Sequence, residues 1–306
     1  MGVSLRQLEY FVAVVDDGSF TSAAARLHVS QPGLSHQIQA LERQLGGPLL
    51  ERLPRGVRLS PAGRIALPHA RASLAHAERA RTAALRASGI DAGELHVGTL
   101  FSISAGILPG ALRAWRAKYP DVQVRLVEFR RSDDLISAME AGQADVAVGP
   151  TPDGWTGPTR EIGAERFVIT GAAGTVLPGI PPVVRFADLT DQLWVHYTPP
   201  SGLHDILEVA CARAGFEPHV AVRTEQAPSA LNFSQSGLGV TLLPGNVIPP
   251  HFDGIVLDPD PPVERRLSVY TRVRPDPITE AFVEAISDQT LVTPPHVLEW
   301  LNPGAH

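Results

Sequence analysis

The chain has 306 residues, enough for two or three domains, and its 44% hydrophobic and 19% charged residues are ordinary for a globular protein. No stretch reaches the roughly 18 uncharged apolar residues of a membrane helix, and the first residues lack the apolar region of a signal peptide. A single cysteine, Cys211, excludes an internal disulfide. We therefore expect a cytoplasmic protein that does not associate with a membrane.

Charge is distributed unevenly along the chain. Residues 1–88 hold 11 arginines, no lysine and 6 acidic residues, which gives +5, whereas the remainder holds 15 basic and 26 acidic residues, which gives −11. A small basic module joined to a large acidic one is typical of a protein in which one part meets a polyanion. The alternative is a chance asymmetry in an arginine-rich chain.

The first residues predict two helices. Apolar residues from Leu5 to Val15 recur at helical spacing, and Gly18 is a typical helix end. Ser19 is a typical cap for a short second helix, from Phe20 to about Leu27. Three consecutive alanines in that helix have almost no bulk, so another helix can approach it closely.

A third helix is predicted from Gln31 to about Leu45, with Ser30 as its cap and Pro32 in its first turn. One face carries its apolar stripe, which consists of Leu34, Ile38, Leu41 and Leu45. Polar side chains lie on the other faces, namely Gln31, Ser35, His36 and Gln39. Two helices joined by a short turn, the second presenting small polar groups, have the helix-turn-helix layout. Its second helix enters the DNA major groove and reads bases with such side chains.

A hairpin and a long helix are predicted next. Leu49–Leu53 and Val57–Leu59 flank a Pro-Arg-Gly turn, as in a β-hairpin. A winged helix-turn-helix would bring the hairpin arginines to phosphates or the minor groove. Arg55 is the strongest candidate, followed by Arg52 and Arg58. A solvent-exposed hairpin that contacts nothing is the alternative.

The long helix opens at Ser60 and Pro61, runs to about Ser88, and carries Pro68, which should kink it. Its length would be roughly 40 Å, and its apolar stripe is too thin to bury against a small domain. We expect it to pair with a second copy of the chain, giving a homodimer with two DNA half-sites. An interdomain helix in a monomer is the alternative.

The remainder alternates strands with helices, which predicts parallel α/β sheets. Two such units joined by two crossings would form two lobes with a ligand cleft between them, at the carboxyl ends of the strands. The predicted domains are 1–60, 61–88 and 89–306, with lobe I at about 89–160 and 265–306 and lobe II at about 161–264. The proline-rich tail should be extended, although Leu298, Trp300 and Leu301 could dock on a surface.

Candidate cleft residues follow from this layout. Ser102, Ser132 and Ser201 stand at predicted helix starts, where each could be only an N-cap. If all three face one cleft, the helix N-termini favour an anionic ligand. Weaker candidates lie at strand ends or beside a second-lobe helix, namely Thr99, His196, Tyr197 and Gln226. Arg130 and Arg131 could balance a carboxylate or be solvated.

No metal site is predicted, because His69 and His76 share a helix face without a third ligand, and no cofactor is expected. Cys211 lies in an apolar helical run and is predicted to be a core residue. Two other functions compete with DNA binding: a small-molecule-binding or transport protein, and an α/β hydrolase-like enzyme. The chain contains no Gly-x-Ser-x-Gly and no Gly-x-Gly-x-x-Gly opening a helix, and a transport protein would not need the first 88 residues.

From Leu5 to about Gly63, the sequence resembles the DNA-binding domain of LysR-type transcriptional regulators. The match is carried by "LRQLEYFVAVVDDGSFTSAAARLHVSQPGLSHQIQALERQLGGPLLERL" and "RGVRLSPAGR". The resemblance implies a winged helix-turn-helix, a dimerising linker helix and an effector domain similar to periplasmic binding proteins, usually in a homotetramer. Two departures are His36, where arginine is common, and Leu50, where phenylalanine is usual.

The resemblance also implies residue roles. In the family, positions like Ser102 and Ser132 contact a small-molecule effector, which we expect here to be anionic. Double-stranded DNA is the implied partner. The DNA-contacting set is predicted to be Thr21, Ser30, Gln31, Pro32, Ser35, His36, Gln39, Arg52 and Arg55.

Overall fold

The computed structural model describes residues 2–53, 56–87, 93–177, 182–287 and 292–301. The chain divides into two compact units, essentially residues 1–93 and residues 94–306. The elements of the N-terminal unit are α1 (Leu5–Asp17), α2 (Phe20–Arg26), α3 (Gln31–Leu45), β1 (Leu50–Leu53), β2 (Gly56–Leu59) and α4 (Pro61–Ala87). They are the predicted elements in the predicted order.

The predicted start and stop signals of these helices are confirmed. Ser19 accepts a hydrogen bond from the Ser22 amide (3.4 Å), and Ser30 accepts one from the Gly33 amide (3.2 Å). Each bond satisfies a donor that the first helical turn leaves free. Gly18 ends α1 in the left-handed conformation, with φ of 62°, which costs glycine little because it has no Cβ.

The core of the N-terminal unit lies between α1 and α3. Phe11 and Val14 of α1 pack with the apolar stripe of α3, in which Leu34 and Leu41 are fully buried. Leu45 does not extend this stripe as predicted. It lies in the last turn of α3, and 47% of it is exposed.

The first part of α4 packs against this core, contrary to the expectation that the helix cannot bury itself there. Ala70 is buried, and Leu67 packs against the same cluster. Close approach is possible because Gly63 has no side chain, since a Cβ there would lie 2.0 Å from the Leu49 carbonyl oxygen. Ile65, on another face of α4, is 71% exposed.

The C-terminal unit has a mixed α/β architecture. Its first elements are β3 (Gly93–Leu100), α5 (Phe101–Gly106), α6 (Leu108–Lys118), β4 (Val122–Phe129), α7 (Ser132–Glu140), β5 (Val146–Gly149), β6 (Thr159–Gly171), β7 (Val183–Arg185) and β8 (Leu193–Tyr197). They are followed by α8 (Gly202–Arg213), β9 (His219–Thr224), α9 (Ala227–Gln235), β10 (Thr241–Pro244), β11 (Ile255–Asp260), β12 (Glu264–Tyr270), α10 (Pro277–Ile286) and α11 (Pro295–Leu301). None of the helices within the described ranges is long and apolar enough to cross a bilayer.

Strand β6 runs through both lobes. Its first part, up to Arg166, pairs with β12 in lobe I, and its last part, from Phe167, pairs with β10 and β11 in lobe II. The chain returns to lobe I through β12, so the two predicted crossings are present. Strands β3 and β5 are parallel, as predicted, but β12 is antiparallel to both β5 and β6. The large sheet is therefore mixed rather than parallel, because its returning strand arrives from the opposite lobe.

Each lobe has its own core. Trp115 and Phe282 lie in the core of lobe I with their rings edge to face (6.2 Å), and Trp194 stacks on Phe186 in lobe II (5.7 Å). Cys211 is fully buried in the lobe II core, and burial raises the pKa of its thiol to about 12. The prediction of a core cysteine is confirmed.

Two predicted elements differ in the structure. The apolar residues from Ile103 to Tyr119 recur at helical spacing and predict one helix, but the run forms two, because the first helix ends at Gly106 and α6 restarts with a proline at its second position. Residues 295–301 of the tail form the helix α11 rather than an extended segment. Val297 and Leu301, one turn apart on it, lie in the lobe II core. Residues 295–301 thus belong to lobe II and not, as predicted, to lobe I.

Candidate functional site

Helix α3 has one buried face and one polar face. Leu34, Ile38 and Leu41 are at most 1% exposed, because they pack on the other helices of the unit. His36 and Gln39 are exposed, whereas Gln31 and Ser35 are half-buried. The polar side chains of the N-terminal half therefore point away from the core, as a helix that reads bases requires.

The predicted residues that precede or open α3 lie at its solvent-exposed start. Ser30 is the N-cap and is exposed, and Pro32 is exposed in the first turn. Thr21, the second residue of α2, is exposed as well. Ala23 and Ala24 are buried, as expected for a close helix contact, but Ala25 is exposed.

Glu42 of α3 holds the β1–β2 hairpin to this helix. One carboxylate oxygen of Glu42 accepts hydrogen bonds from the amides of Leu49 (2.9 Å) and Leu50 (3.1 Å). Arg58 pairs with Glu51 across the hairpin at 2.5 Å, so its charge is partly neutralised. Arg55 and the side chain of Arg52 lie outside the described residues, and their predicted roles stay predictions.

A second site lies between the two lobes of the C-terminal unit, where the chain passes from one lobe to the other along β6 and returns along β12. Arg265 donates a hydrogen bond to the Ser102 hydroxyl (3.1 Å) and pairs with Glu165, which is fully buried. The Asn246 amide of lobe II donates to the same carboxylate at 3.1 Å. We call Ser102, Glu165, Asn246 and Arg265 the interlobe cluster. Because its members come from both lobes, it joins them at the inner end of the cleft.

Ion pairs link the two lobes at the outer edge of the cleft. Arg130 of lobe I pairs with Glu225 of lobe II at 2.7 Å, and Arg131 pairs with Asp205 at 3.1 Å. The Gly202 amide also donates to the Arg130 carbonyl at 3.0 Å. We call these five residues the cleft rim. The two arginines are thus partnered across the cleft, neither simply solvated nor free for a ligand.

The three predicted serines have different surroundings. Ser102 is buried at the start of α5 but does not cap it, since the residue before the helix is Leu100. Ser201 caps α8 by accepting from the His204 amide (3.1 Å). Ser132 is half-buried at the start of α7, where the next two residues are aspartates, which makes this helix end less favourable for an anion.

Two weaker candidates are bonded within their own lobes. The Thr99 hydroxyl donates to the Val148 carbonyl (3.0 Å) inside lobe I. Tyr197 is fully buried in the lobe II core, where its hydroxyl donates to the Leu242 carbonyl (3.1 Å), and burial raises the pKa of this phenol. Both groups have structural partners that do not require a ligand.

The other two weaker candidates differ in exposure. Gln226 is exposed immediately before α9. His196 is fully buried, and burial lowers the pKa of its imidazole.

Next to His196 the fold brings together His204 and Glu208, with ligand atoms of all three residues within 4.8 Å of one another. No metal site is predicted from the sequence, so this group is not among the expected sites. The signal was a histidine four residues before a glutamate on one helix.

Two family models match the chain and together cover most of it. The model "Bacterial regulatory helix-turn-helix protein, lysR family" matches residues 5–64, and the model "LysR substrate binding domain" matches residues 88–290. The chain belongs to the LysR family of transcriptional regulators. Its helix-turn-helix is a DNA-binding domain, and its two-lobed unit is an effector-binding domain.

Curated relatives agree with this assignment. The transcriptional regulator ClcR of Pseudomonas putida is 33% identical over 251 residues, which cover 80% of this chain and 84% of ClcR. The regulator TfdS of Cupriavidus pinatubonensis is 34% identical over 253 residues, which cover 80% and 83%. These relatives are regulators rather than transporters or hydrolases.

Solved structures show the same architecture over nearly the whole chain. The crystal structure of CbnR, a LysR family transcriptional regulator, has a TM-score of 0.71 and 28% identity, covering 94% of this chain and 99% of CbnR. Full-length CbnR in complex with its target DNA has a TM-score of 0.70 and 29% identity, covering 94% and 100%. The predicted fold class, a winged helix-turn-helix followed by a two-lobed α/β effector domain, is confirmed.

Proposed function

We propose that this LysR-family chain reads operator DNA with the N-terminal half of α3. The observation that supports the proposal is the division of that helix, whose three apolar side chains are buried while His36 and Gln39 face solvent. Gln31 can form two hydrogen bonds with an adenine edge. Thr21, Ser30, Pro32 and Ser35 would complete the contact, and Arg52 and Arg55 of the hairpin would bind phosphates or the minor groove.

The DNA-binding unit would act as part of a homodimer or homotetramer. The part of α4 beyond Ala70 extends past the core of its own unit, and a second copy of α4 is a suitable partner for it. Such pairing would present two reading helices to two half-sites. The proposed oligomer would carry out regulation inside the cytoplasm and needs no cofactor.

For the effector we propose a small anionic molecule bound between the lobes. Ser102, Ser132 and Gln226 are its first candidates, because Ser102 belongs to the interlobe cluster and the other two directly follow the cleft-rim residues Arg131 and Glu225. An anion would compete with Glu225 and Asp205 for Arg130 and Arg131, and so change how the lobes close. Thr99, His196, Tyr197 and Ser201 are weaker candidates, since each already has a structural partner. By linkage, operator DNA would alter effector affinity by the same factor.

Gln31→Ala tests the reading helix, and Gln44→Ala is a matched control because Gln44 is exposed at the other end of α3. Gln31→Ala should weaken binding to cognate DNA by roughly 1–3 kcal/mol and spare non-specific binding, whereas Gln44→Ala should change neither. The measurement is fluorescence anisotropy on operator and scrambled duplexes at one salt concentration. Equal operator affinity for Gln31→Ala and the wild type would refute the placement.

Ser102→Ala tests the cleft. Small carboxylates are screened first for thermal stabilisation of the full-length wild type, which measures ligand binding by mass action. For any carboxylate that stabilises it, the Ser102→Ala variant should show a weaker shift. An unchanged shift would place the effector elsewhere.

A further inference from the structure

Three potential metal ligands meet on the surface of lobe II. His204 and Glu208 are four residues apart on α8, so their side chains lie one turn apart on the same face. His196, the fourth residue of β8, lies against that face, with its ring centroid 5.0 Å from that of His204. Its Nε2 atom is 3.1 Å from Oε1 of Glu208. Ligands bound at about 2.0–2.2 Å to one tetrahedral ion are separated by similar distances.

The buried member of this group lacks a hydrogen-bond partner on the side that faces the others. His196 is fully buried, and its Nε2 atom has no hydrogen bond to any residue in the described ranges. The Glu208 oxygen is close enough for an electrostatic contact, but the geometry is not that of a hydrogen bond. An unsatisfied buried nitrogen of this kind costs free energy, and coordination of a cation would remove that cost.

The opposite sides of both rings are held by one backbone carbonyl. The Nδ1 atom of His204 lies 3.2 Å from the Tyr197 carbonyl oxygen, and that of His196 lies 3.0 Å from the same oxygen. When Nδ1–H donates to a carbonyl, Nε2 keeps its lone pair, and metal-binding histidines are oriented in this way. The Tyr197 amide donates to Nδ1 of His196 at 2.7 Å, and the Arg223 guanidinium lies 3.3 Å from the same nitrogen. Both donors favour the opposite tautomer, with Nε2–H facing Glu208, which a metal ion at Nε2 would have to displace.

We propose that His196, His204 and Glu208 bind a divalent first-row transition metal ion, of which Zn²⁺ is the reference case. Two imidazole nitrogens and one carboxylate oxygen suit Zn²⁺, Co²⁺ or Ni²⁺, whereas Ca²⁺ and Mg²⁺ prefer oxygen ligands. His204 and Glu208 are only half-buried, which leaves an entry path and an open coordination position. Of the residues proposed for the effector, the site shares only His196, which is one of the weaker candidates.

The site would also affect the cleft rim. Helix α8 carries two of the ligands, and its residue Asp205, next to His204, pairs with Arg131 of lobe I. Bound metal would fix α8 to β8 and so hold Asp205 in place. Occupancy of the site would therefore stabilise the lobe II side of the cleft rim.

The test uses the full-length chain, stripped with a chelator and titrated with Zn²⁺ by calorimetry and with Co²⁺ by visible absorption. The wild type should bind one equivalent, and the Co²⁺ form should show the d–d bands of a nitrogen–oxygen site. His204→Ala and Glu208→Gln should each lower the affinity by more than about 100-fold. His219→Ala, which removes an exposed histidine of the adjacent strand β9, should bind like the wild type.

A second readout covers variants that fold poorly. Excess Zn²⁺ should raise the melting temperature of the wild type and of His219→Ala, but not of Glu208→Gln. One equivalent of metal still bound tightly by His204→Ala would place the ion elsewhere and overturn the proposal. Absence of binding to the wild type at a metal concentration on the order of 100 micromolar would overturn the proposal and leave His196 and Glu208 with no more than their electrostatic contact.

Discussion

Glu42 joins α3 to the β1–β2 hairpin, and the loss of stability on removing its side chain can be calculated. Its Oε1 atom accepts from the Leu49 and Leu50 amides at 2.9 and 3.1 Å, and both of these residues are buried. A hydrogen bond to a charged group contributes about 1.5–3 kcal/mol, so losing both bonds costs at most about 3–6 kcal/mol. Glu42 is half-buried, so water replaces part of the loss, and we expect about 2–3 kcal/mol for Glu42→Ala. Glu42→Gln keeps an oxygen acceptor and should cost about 1 kcal/mol.

Amide hydrogen exchange of the segment 46–60 in the full-length chain measures this local stability. Glu42→Ala should accelerate exchange at Leu49 and Leu50 by roughly 30- to 140-fold, since 1.4 kcal/mol corresponds to a factor of ten. Glu51→Ala is the control. It removes a carboxylate of the same hairpin, but one in an exposed ion pair, which is worth at most about 1 kcal/mol, or about fivefold. Equal exchange in Glu42→Ala and Glu51→Ala would refute the reasoning.

Two further predictions concern the C-terminal unit, and urea unfolding followed by tryptophan fluorescence measures both, because the 4 tryptophans all lie in it. Gly106→Ala would place a Cβ 2.2 Å from Oδ1 of Asn246 and should destabilise the unit by about 1–3 kcal/mol. An unchanged unfolding midpoint would contradict the close packing of the lobes at Gly106. Burial, opposed by Arg166, raises the pKa of Asp258, so the folded chain binds this proton more tightly than the unfolded chain. The stability that the folded chain gains from this tighter proton binding is fully present below the ordinary pKa of about 3.9. It is lost as the pH rises through the raised pKa of Asp258 in the folded chain. Relative to Asp258→Asn, the wild type should therefore lose stability as the pH rises above about 4, and a constant difference would contradict the shift.

The N-terminal unit could be predicted closely because its signals are local. Ser19 and Ser30 act as caps within three residues of their partners, and Gly18 needs only its own backbone conformation. The exposure of Leu45 could not be predicted, because periodicity says which residues share a face but not where the neighbouring helices end. The family resemblance also rested on this unit, where the matching residues are dense.

The C-terminal unit was predicted less well because its decisive contacts are distant in sequence. Strands β7 and β11 are not predicted, since β7 has only 3 residues and β11 contains a proline. Ser102 was identified as a helix-start serine, but its partner Arg265 is 163 residues away. Docking of Leu301 and Trp300 was an alternative that the sequence offered, but their composition does not reveal that lobe II receives them.

The way in which the lobes are joined explains how a small effector could act on them. The cleft rim consists of the ion pairs Arg130–Glu225 and Arg131–Asp205, all of whose side chains are between 37% and 53% exposed. Exposed pairs of this kind contribute about 0–1 kcal/mol each, whereas the interlobe cluster is buried and costly to separate. The lobes are therefore fixed at the inner end of the cleft and weakly closed at the rim. A ligand that prefers one rim arrangement by only about 1–3 kcal/mol is enough to shift the population, which is the range of typical allosteric coupling.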